Sequence, residues 1–267
     1  MKLQILRGAM GAALMLSLVP AAAHAEAASE GTPSAIATGM AIPIAGIPNH
    51  SAVPSRGRSI VVDAASARLY MVENGQVVDS MRVIVGKPDT ATPELRSTIF
   101  YATLNPYWNV TPDLTRTLIA PNVLRLGYSY LRDRGYEVVS EFGNDAKLIP
   151  PEKVDWSAVA AGREHVLVRQ RPGPANSMGQ VKFGFPNNDG IYLHDTPKKD
   201  LFAQDDRSLS HGCVRLEDAP RLARWLLGRD PQSITRSPEQ FVPLPAAVPI
   251  VITYSNRASP DQVAALR

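Results

Sequence analysis

The chain has 267 residues, of which 45% are hydrophobic and 20% charged. This length and composition predict one folded domain of ordinary size and exclude a disordered or fibrous protein. The formal net charge is +3, and the sequence contains no basic run or patch, so it indicates no nucleic-acid partner.

The first 25 residues have the pattern of a secretory signal peptide. Lys2 and Arg7 precede an apolar run over residues 11–19, and Ala23-His24-Ala25 matches a small-x-small cleavage site. The alternative is a membrane anchor, but the run is shorter than the ~20 apolar residues that a spanning helix needs. We therefore expect export with cleavage and no stable membrane span. Residues 26–56, rich in Ala, Ser, Thr, Pro and Gly, predict a flexible tether.

Strand patterns dominate residues 57–255, which we expect to form one domain, followed by a short tail over residues 256–267. The predicted strands are Ser59–Asp63, Arg68–Glu73, Gln76–Val85, Ser97–Leu104, His165–Arg169, Gln180–Phe185, Gly190–His194 and Val248–Tyr254. Asn74-Gly75 is a strong hairpin signal between the second and third of them. The predicted class is mainly β with a few helices.

Two segments have helical periodicity. Glu217–Leu227 places its leucines on one face, with Asp218 near the start and Gly228 just after the end. Leu114–Leu131 has a weaker helical pattern inside residues 106–164, which interrupt the succession of strands. We expect these residues to be an insertion that covers a cleft. The alternative is a surface elaboration that only packs against the sheet.

Cys213 is the single cysteine, so an exported chain cannot form an internal disulfide and carries an unpaired thiol. His211 lies two residues before it and Arg215 two residues after it. In an extended segment these three side chains would share one face. A cationic neighbourhood would lower the pKa of the thiol from ~8.5 and enrich the reactive thiolate. The N–H groups of Gly212 and Cys213 are candidates for holding an oxyanion.

A second histidine, His194, follows an apolar strand 19 positions before Cys213. A cysteine nucleophile needs a base that takes its proton and returns it to the leaving group, and histidine suits that role near neutral pH. The alternative is a zinc site formed by His194, His211 and Cys213. No further carboxylate or cysteine pattern supports the zinc site, so the sequence favours catalysis without a metal or organic cofactor.

At these motifs the sequence resembles the L,D-transpeptidase family with its YkuD-type catalytic domain, over about residues 58–254. The resemblance rests on five segments in the family's order: Pro106–Val110, Arg169–Pro174, Val181–Asn187, Ile191–Pro197 (IYLHDTP) and Ser210–Leu216 (SHGCVRL). It is greatest to the subgroup whose enlarged catalytic domain bears a lid. The resemblance implies a β-sandwich with an inserted lid, and the signal pattern of residues 1–25 leads us to expect a periplasmic location.

The resemblance also implies the roles of single residues. Cys213 matches the nucleophile and His194 the proton donor and acceptor, oriented by a backbone carbonyl at Asp195 or beside it. The supporting catalytic positions are His211, Gly212 and Arg215, and the substrate-binding candidates are Tyr192, Asp195, Ser210 and Trp108. Two readings stay open from the residues themselves. Arg215 either holds a substrate carboxylate or pairs with Glu217 or Asp218, and Trp108 and Tyr107 either contact ligand or only pack.

The activity implied by the family is acyl transfer between peptidoglycan stem peptides through a cysteinyl thioester. The acyl acceptor stays open: it is a stem amine, water as in an L,D-carboxypeptidase or hydrolase, or a lysine of an outer-membrane protein. A wall-binding protein without catalysis is the last alternative. Intact Cys213 and His194 argue against it.

Overall fold

Two β-sheets make up most of the architecture in this computed structural model, which describes residues 42–43, 54–143, 145–231 and 237–255. The strands, numbered in chain order, are β1 Ile42–Pro43, β2 Arg58–Asp63, β3 Arg68–Glu73, β4 Gln76–Gly86, β5 Leu95–Leu104, β6 Trp108–Asn109, β7 Tyr136–Val139, β8 Leu148–Ile149, β9 Leu167–Gln170, β10 Val181–Gly184, β11 Tyr192–His194, β12 Ser208–Ser210, β13 Val214–Leu216 and β14 Gln240–Thr253.

The ten-stranded main sheet has the order β1-β4-β13-β11-β10-β5-β14-β2-β3, with β12 on β4, and β3 pairs again with β4. The hydrogen-bonded path thus closes on itself around one apolar core, in which Ile60, Leu69, Phe183 and Leu216 are fully buried. The prediction of a mainly β, sandwich-like domain is confirmed. Burial of these large side chains is the main stabilising contribution to the domain.

The hairpin and the last helix were predictable because their signals are local. Asn74 and Gly75 both have positive φ, 51° and 75°, which is the geometry of a type I′ turn between β3 and β4. Helix Ala219–Leu227 begins where the Asp218 carboxylate accepts a hydrogen bond from Arg221 N, and it ends at Gly228 in the left-handed conformation. Its leucines are buried in the main core.

The insertion between β5 and β10 is longer than predicted. Strand β9, expected in the main body, instead pairs with β6 and β7 in a separate four-stranded sheet of order β6-β9-β7-β8. This sheet and the neighbouring helices bury a core of their own around Ile119, Tyr130, Trp156 and Val168. The insertion therefore spans residues 105–180 rather than 106–164. Hydrophobic alternation cannot tell which of two sheets a strand will join.

The predicted helix Leu114–Leu131 is broken into pieces. The helical segments of the insertion are α1 Pro112–Leu114, a π-helical stretch Thr115–Ile119, α2 Ala120–Leu126, α3 Ser129–Asp133 and α4 Trp156–Ala160; the main-core helix Ala219–Leu227 is α5. Pro121 has no N–H to continue the ladder, and Ala120 N donates to Thr115 O, five residues back. Gly127, with φ of 75°, then ends α2.

The predicted signal peptide and tail lie outside the described residues. So does most of the predicted tether, except residues 54–56 and strand β1, which pairs with β4. Ile42 and Pro43 are therefore paired with the main sheet. Within the described part of the chain, no helix has the length and hydrophobicity needed to cross a membrane.

Candidate active site

His194 and Cys213 are brought together by two neighbouring strands. β11 and β13 run parallel, with Leu193 opposite Val214 and His194 opposite Arg215. His194 is the last residue of β11, and Cys213 comes immediately before β13. The ends of both strands are anchored in the main core by Leu193 and Leu216. Two residues 19 positions apart in sequence are thereby held on adjacent rigid elements.

The imidazole of His194 is buried and has a fixed tautomer. Its Nδ1 lies 2.5 Å from the carbonyl oxygen of Asp195. Because a carbonyl only accepts hydrogen bonds, Nδ1 carries the proton and donates it, which leaves Nε2 unprotonated. An unprotonated Nε2 is what a general base requires. The carbonyl of Asp195 thus occupies the place expected for the group that orients the base.

The same surroundings keep His194 neutral. Burial, assisted by the positive charge of Arg215, lowers the pKa of His194 to about 4, against the opposing effects of the hydrogen bond to Asp195 and the Asp195 charge. At neutral pH the imidazole is therefore available to accept a proton.

Cys213 differs from its predicted electrostatics. Burial raises the pKa of its thiol, and a hydrogen bond from the Tyr192 backbone, with the charges of Arg215 and Lys182, opposes this without reversing it. Its sulfur lies 3.8 Å from Gly190 O. The expectation of a lowered thiol pKa is wrong, because the loss of solvation on burial raises the pKa more than the nearby positive charges lower it. The cavity therefore holds a thiol and a neutral imidazole.

The segment that carries Cys213 is a bend, and not the extended segment in which His211, Cys213 and Arg215 would share one face. β12 ends at Ser210, and the chain turns at Gly212 with φ of 110° before β13 begins. Ser210 Oγ accepts a hydrogen bond from Gly212 N at 3.1 Å and donates one to Cys213 O at 2.6 Å. Because the N–H of Gly212 already donates to Ser210 Oγ, it is not available in this turn for the predicted oxyanion hole. Position 212 requires a glycine because its φ is positive.

Thr92, which the sequence did not identify, fixes this turn from the other side. Its buried Oγ1 accepts from Gly86 N at 2.9 Å and donates to Gly212 O at 2.7 Å. A Cβ on Gly86 would overlap the backbone at Thr90. The end of β4 thus supports the nucleophile turn across more than 100 residues of sequence, a contact that no local pattern predicts.

A cavity of about 930 Å³ lies over these residues. Its walls include most of the predicted site residues, namely Trp108, Tyr192, His194, Ser210, His211, Cys213 and Arg215. The insertion supplies the facing wall, with Leu114, Leu118, Tyr130 and Tyr136 among its members. A cavity of this size between a rigid sheet and an insertion suits a peptide-sized ligand.

The structure places the two predicted aromatic residues, Trp108 and Tyr107, in different surroundings. Trp108 lines the cavity and also packs on the core of the insertion, with its ring centroid 6.2 Å from that of Tyr136. The Tyr107 ring instead receives the guanidinium of Arg169 at 4.3 Å and does not contribute to the cavity wall. Tyr107 is thus a packing residue, and Trp108 has both roles.

Arg215 does not form the predicted pair with Glu217 or Asp218. Glu217 is bonded to Arg82, and Asp218 caps α5 and lies near Arg221. Within the described ranges, Arg215 has no carboxylate partner. It is half-buried in the wall of the cavity beside Cys213. The remaining option from the sequence, a substrate carboxylate, is therefore the better interpretation.

Asp195 does not meet the prediction that its side chain contacts substrate. Its carboxylate accepts from Gln180 N at 2.9 Å and from Lys199 Nζ at 2.7 Å. It lines a second cavity of about 530 Å³ and not the one that holds Cys213. Alternation along the chain explains this, because His194 points into one cavity and the next side chain points away from it.

Metal binding by the predicted histidines and cysteine has no geometric support. In the part of the chain that the structure describes, no group of three or more His, Cys, Asp or Glu side chains is placed to hold a metal ion. The arrangement is that of a nucleophile with a base and an orienting carbonyl.

Comparison with known proteins identifies the family. A family model described as the L,D-transpeptidase catalytic domain (YkuD) matches residues 57–244. A Haemophilus influenzae protein named "Putative L,D-transpeptidase" is 33% identical over 175 residues, which are 66% of this chain and 35% of that protein. The chain thus spans about a third of the length of this relative.

Solved structures of L,D-transpeptidases also align, with low similarity. The enzyme from Mycobacterium smegmatis is 15% identical and the alignment covers 73% of this chain and 58% of that one, with a TM-score of 0.35. L,D-transpeptidase 3 from Mycobacterium tuberculosis, in complex with a faropenem-derived adduct, is 12% identical over 74% and 60% of the two chains, with a TM-score of 0.36. Since the family model matches well over half of the sequence, this chain belongs to the L,D-transpeptidase family with a YkuD-type catalytic domain.

Proposed function

We propose that this protein is a periplasmic L,D-transpeptidase that cross-links peptidoglycan through a cysteinyl acyl-enzyme formed from tetrapeptide stems. The observation that carries the proposal is the shared cavity of His194 and Cys213, in which the Nδ1–H of His194 is held by the Asp195 carbonyl. Export to the periplasm rests on the signal pattern of residues 1–25.

Acylation begins with a proton transfer. His194 Nε2 takes the proton of the Cys213 thiol as the sulfur attacks the carbonyl carbon of the penultimate stem residue. The C–N bond to the terminal D-Ala then breaks, and His194 returns the proton to the leaving amine. The product is a thioester on Cys213. A thiol beside a neutral imidazole fits this order, in which proton transfer accompanies attack.

Deacylation reverses the roles. The amine of a second stem attacks the thioester carbonyl and gives a proton to His194, the C–S bond breaks, and the sulfur regains the proton. No cofactor takes part in this scheme. The charges of the cavity suit a substrate that carries free carboxylates, because basic side chains outnumber acidic ones in its walls. The basic ones are Arg125, Arg134, Lys198 and Arg215, and the acidic ones are Asp113 and Asp189.

The acceptor is tested by the products. Incubation of the purified protein with disaccharide-tetrapeptide should yield a cross-linked dimer together with free D-Ala, both measurable by mass spectrometry. Tripeptide without dimer would identify an L,D-carboxypeptidase, in which water takes the place of the amine. A conjugate of the tripeptide stem with a lysine of an added outer-membrane protein, formed without dimer, would mean attachment of a protein to the wall. The absence of any product or covalent adduct would support the non-catalytic alternative.

A further inference from the structure

Lys199 makes three hydrogen bonds that join the two catalytic strands. Its Nζ donates to Asp195 Oδ1 at 2.7 Å, to Glu217 O at 2.8 Å and to Leu216 O at 3.2 Å. An ammonium group has three protons, so these bonds use all of its donors. The side chain is 47% exposed, yet its carboxylate partner is only 9% exposed. This ion pair is thus partly shielded from solvent.

The bonded groups lie at corresponding places on the two strands. Asp195 follows His194, which ends β11, and Leu216 ends β13, which begins after Cys213. The single ammonium group therefore ties the residue after the base to the far end of the nucleophile's strand. Two adjacent parallel strands are thus tied together at the end that carries His194.

Asp195 is fixed on its other sides as well. Its backbone N–H donates to Val181 O at 2.9 Å, and its Oδ2 accepts from Gln180 N. Gly179 lies so close that a Cβ there would come 2.3 Å from Asp195 Oδ2. The carboxylate is thus enclosed by the returning end of the insertion on one side and Lys199 on the other.

The orientation of Asp195 determines the state of the base. The Asp195 carbonyl is what keeps the proton on Nδ1 of His194. If that carbonyl turned away, the imidazole could carry its proton on Nε2 instead and would no longer accept the thiol proton. A side chain outside the catalytic cavity therefore acts on the chemistry through the backbone.

We propose that Lys199 is a positioning residue of the L,D-transpeptidase centre, which holds the Asp195 carbonyl against the Nδ1–H of His194. The proposal rests on the proposed function, in which His194 is the base. Lys199 does not line the catalytic cavity, so its effect should fall on the acylation rate constant and not on binding.

The first test reads the tautomer without using activity. Lys199→Met removes the ammonium group and keeps the aliphatic stem, and Lys153→Met, at an exposed lysine of the insertion, is the control. In protein labelled with [15N]histidine, one- and two-bond couplings at pH 7 report which ring nitrogen carries the proton, and His194→Gln identifies the signal. Wild type and Lys153→Met should show Nδ1–H alone. Lys199→Met should show a population protonated at Nε2.

The second test measures acylation by a carbapenem. The rate constant at saturation should fall on the order of 10²-fold in Lys199→Met, as a misplacement near 1 Å predicts, with little change in the binding constant. A folded Lys199→Met with an unchanged rate constant and Nδ1–H alone would overturn the proposal. If Lys199→Met does not fold, Asp195→Asn, which weakens the bond between Lys199 and Asp195, is measured in the same two experiments and judged by the same outcomes. Failure of wild type to be acylated would contradict the proposed function, while the tautomer comparison would still decide the role of Lys199.

Discussion

At the scale of single residues, the site is defined by one strand-end histidine and one cysteine in a turn. Both were predicted from the sequence, because the motifs that contain them are local, and both line one cavity. Their electrostatics were not found, because burial depends on parts of the fold that lie far away in sequence. The thiol has a raised pKa and the imidazole a lowered one. Both shifts favour the neutral forms of the two groups, as expected in an enclosed cavity.

The lowered pKa of His194 predicts an acid-tolerant enzyme. The base is lost only when falling pH protonates His194, and its pKa is about 4. The acylation rate with a carbapenem should therefore stay nearly constant from pH 7 down to about 5, whereas an unshifted histidine would lose activity below about 6.5. The measurement is a pH–rate profile of the wild type. His165→Gln, at an exposed histidine of the insertion, should give the same profile, and a midpoint near 6.5 would show that His194 is solvated during catalysis.

Supporting residues were harder to predict than the reacting ones. Asp195 was assigned to substrate because it lies in a recognisable motif, yet its carboxylate points to the other cavity. Thr92 and Lys199 were not identified at all. Thr92 bonds Gly212, 120 residues away, and Lys199 bonds both Asp195 and Leu216 on the neighbouring strand. Such contacts leave no periodicity or motif that a single sequence reveals.

At the scale of elements, strands and turns with strong local signals were predictable, and their assignment to sheets was not. Strand β9 reads as an ordinary strand of the main body, but it belongs to the sheet of the insertion. The helix Leu114–Leu131 was predicted as one element, and Pro121 and Gly127 divide it. The insertion contributes residues to the cavity wall, and its action as a lid stays a prediction.

The position of Trp108 predicts an effect on the fate of the thioester. A wall that limits water and holds the acceptor should favour cross-linking over hydrolysis. Trp108→Ala should therefore raise the ratio of tripeptide to dimer made from tetrapeptide, with acylation by a carbapenem retained. Tyr107→Ala is the matched control, since Tyr107 is the adjacent aromatic residue and lies outside the cavity wall. An unchanged product ratio in folded Trp108→Ala would leave the insertion as a scaffold.

At the scale of the whole molecule, a closed sheet with its own core carries Cys213 and His194, and an insertion with a separate core forms the opposite wall of their cavity. This division explains why the fold class was predictable from strand patterns while the shape of the cavity was not. The sheet follows from alternation within each strand. The cavity depends on how two separately packed cores face one another.

The central claim is that Cys213 forms the acyl-enzyme with His194 as its base. The most direct test is the intact mass of the folded protein after incubation with a carbapenem, followed by peptide mapping. We expect one adduct, located on Cys213, absent from Cys213→Ala and formed much more slowly by His194→Ala, because nucleophile and base act as a unit. A folded wild-type protein without an adduct, or an adduct that persists in Cys213→Ala, would contradict the account.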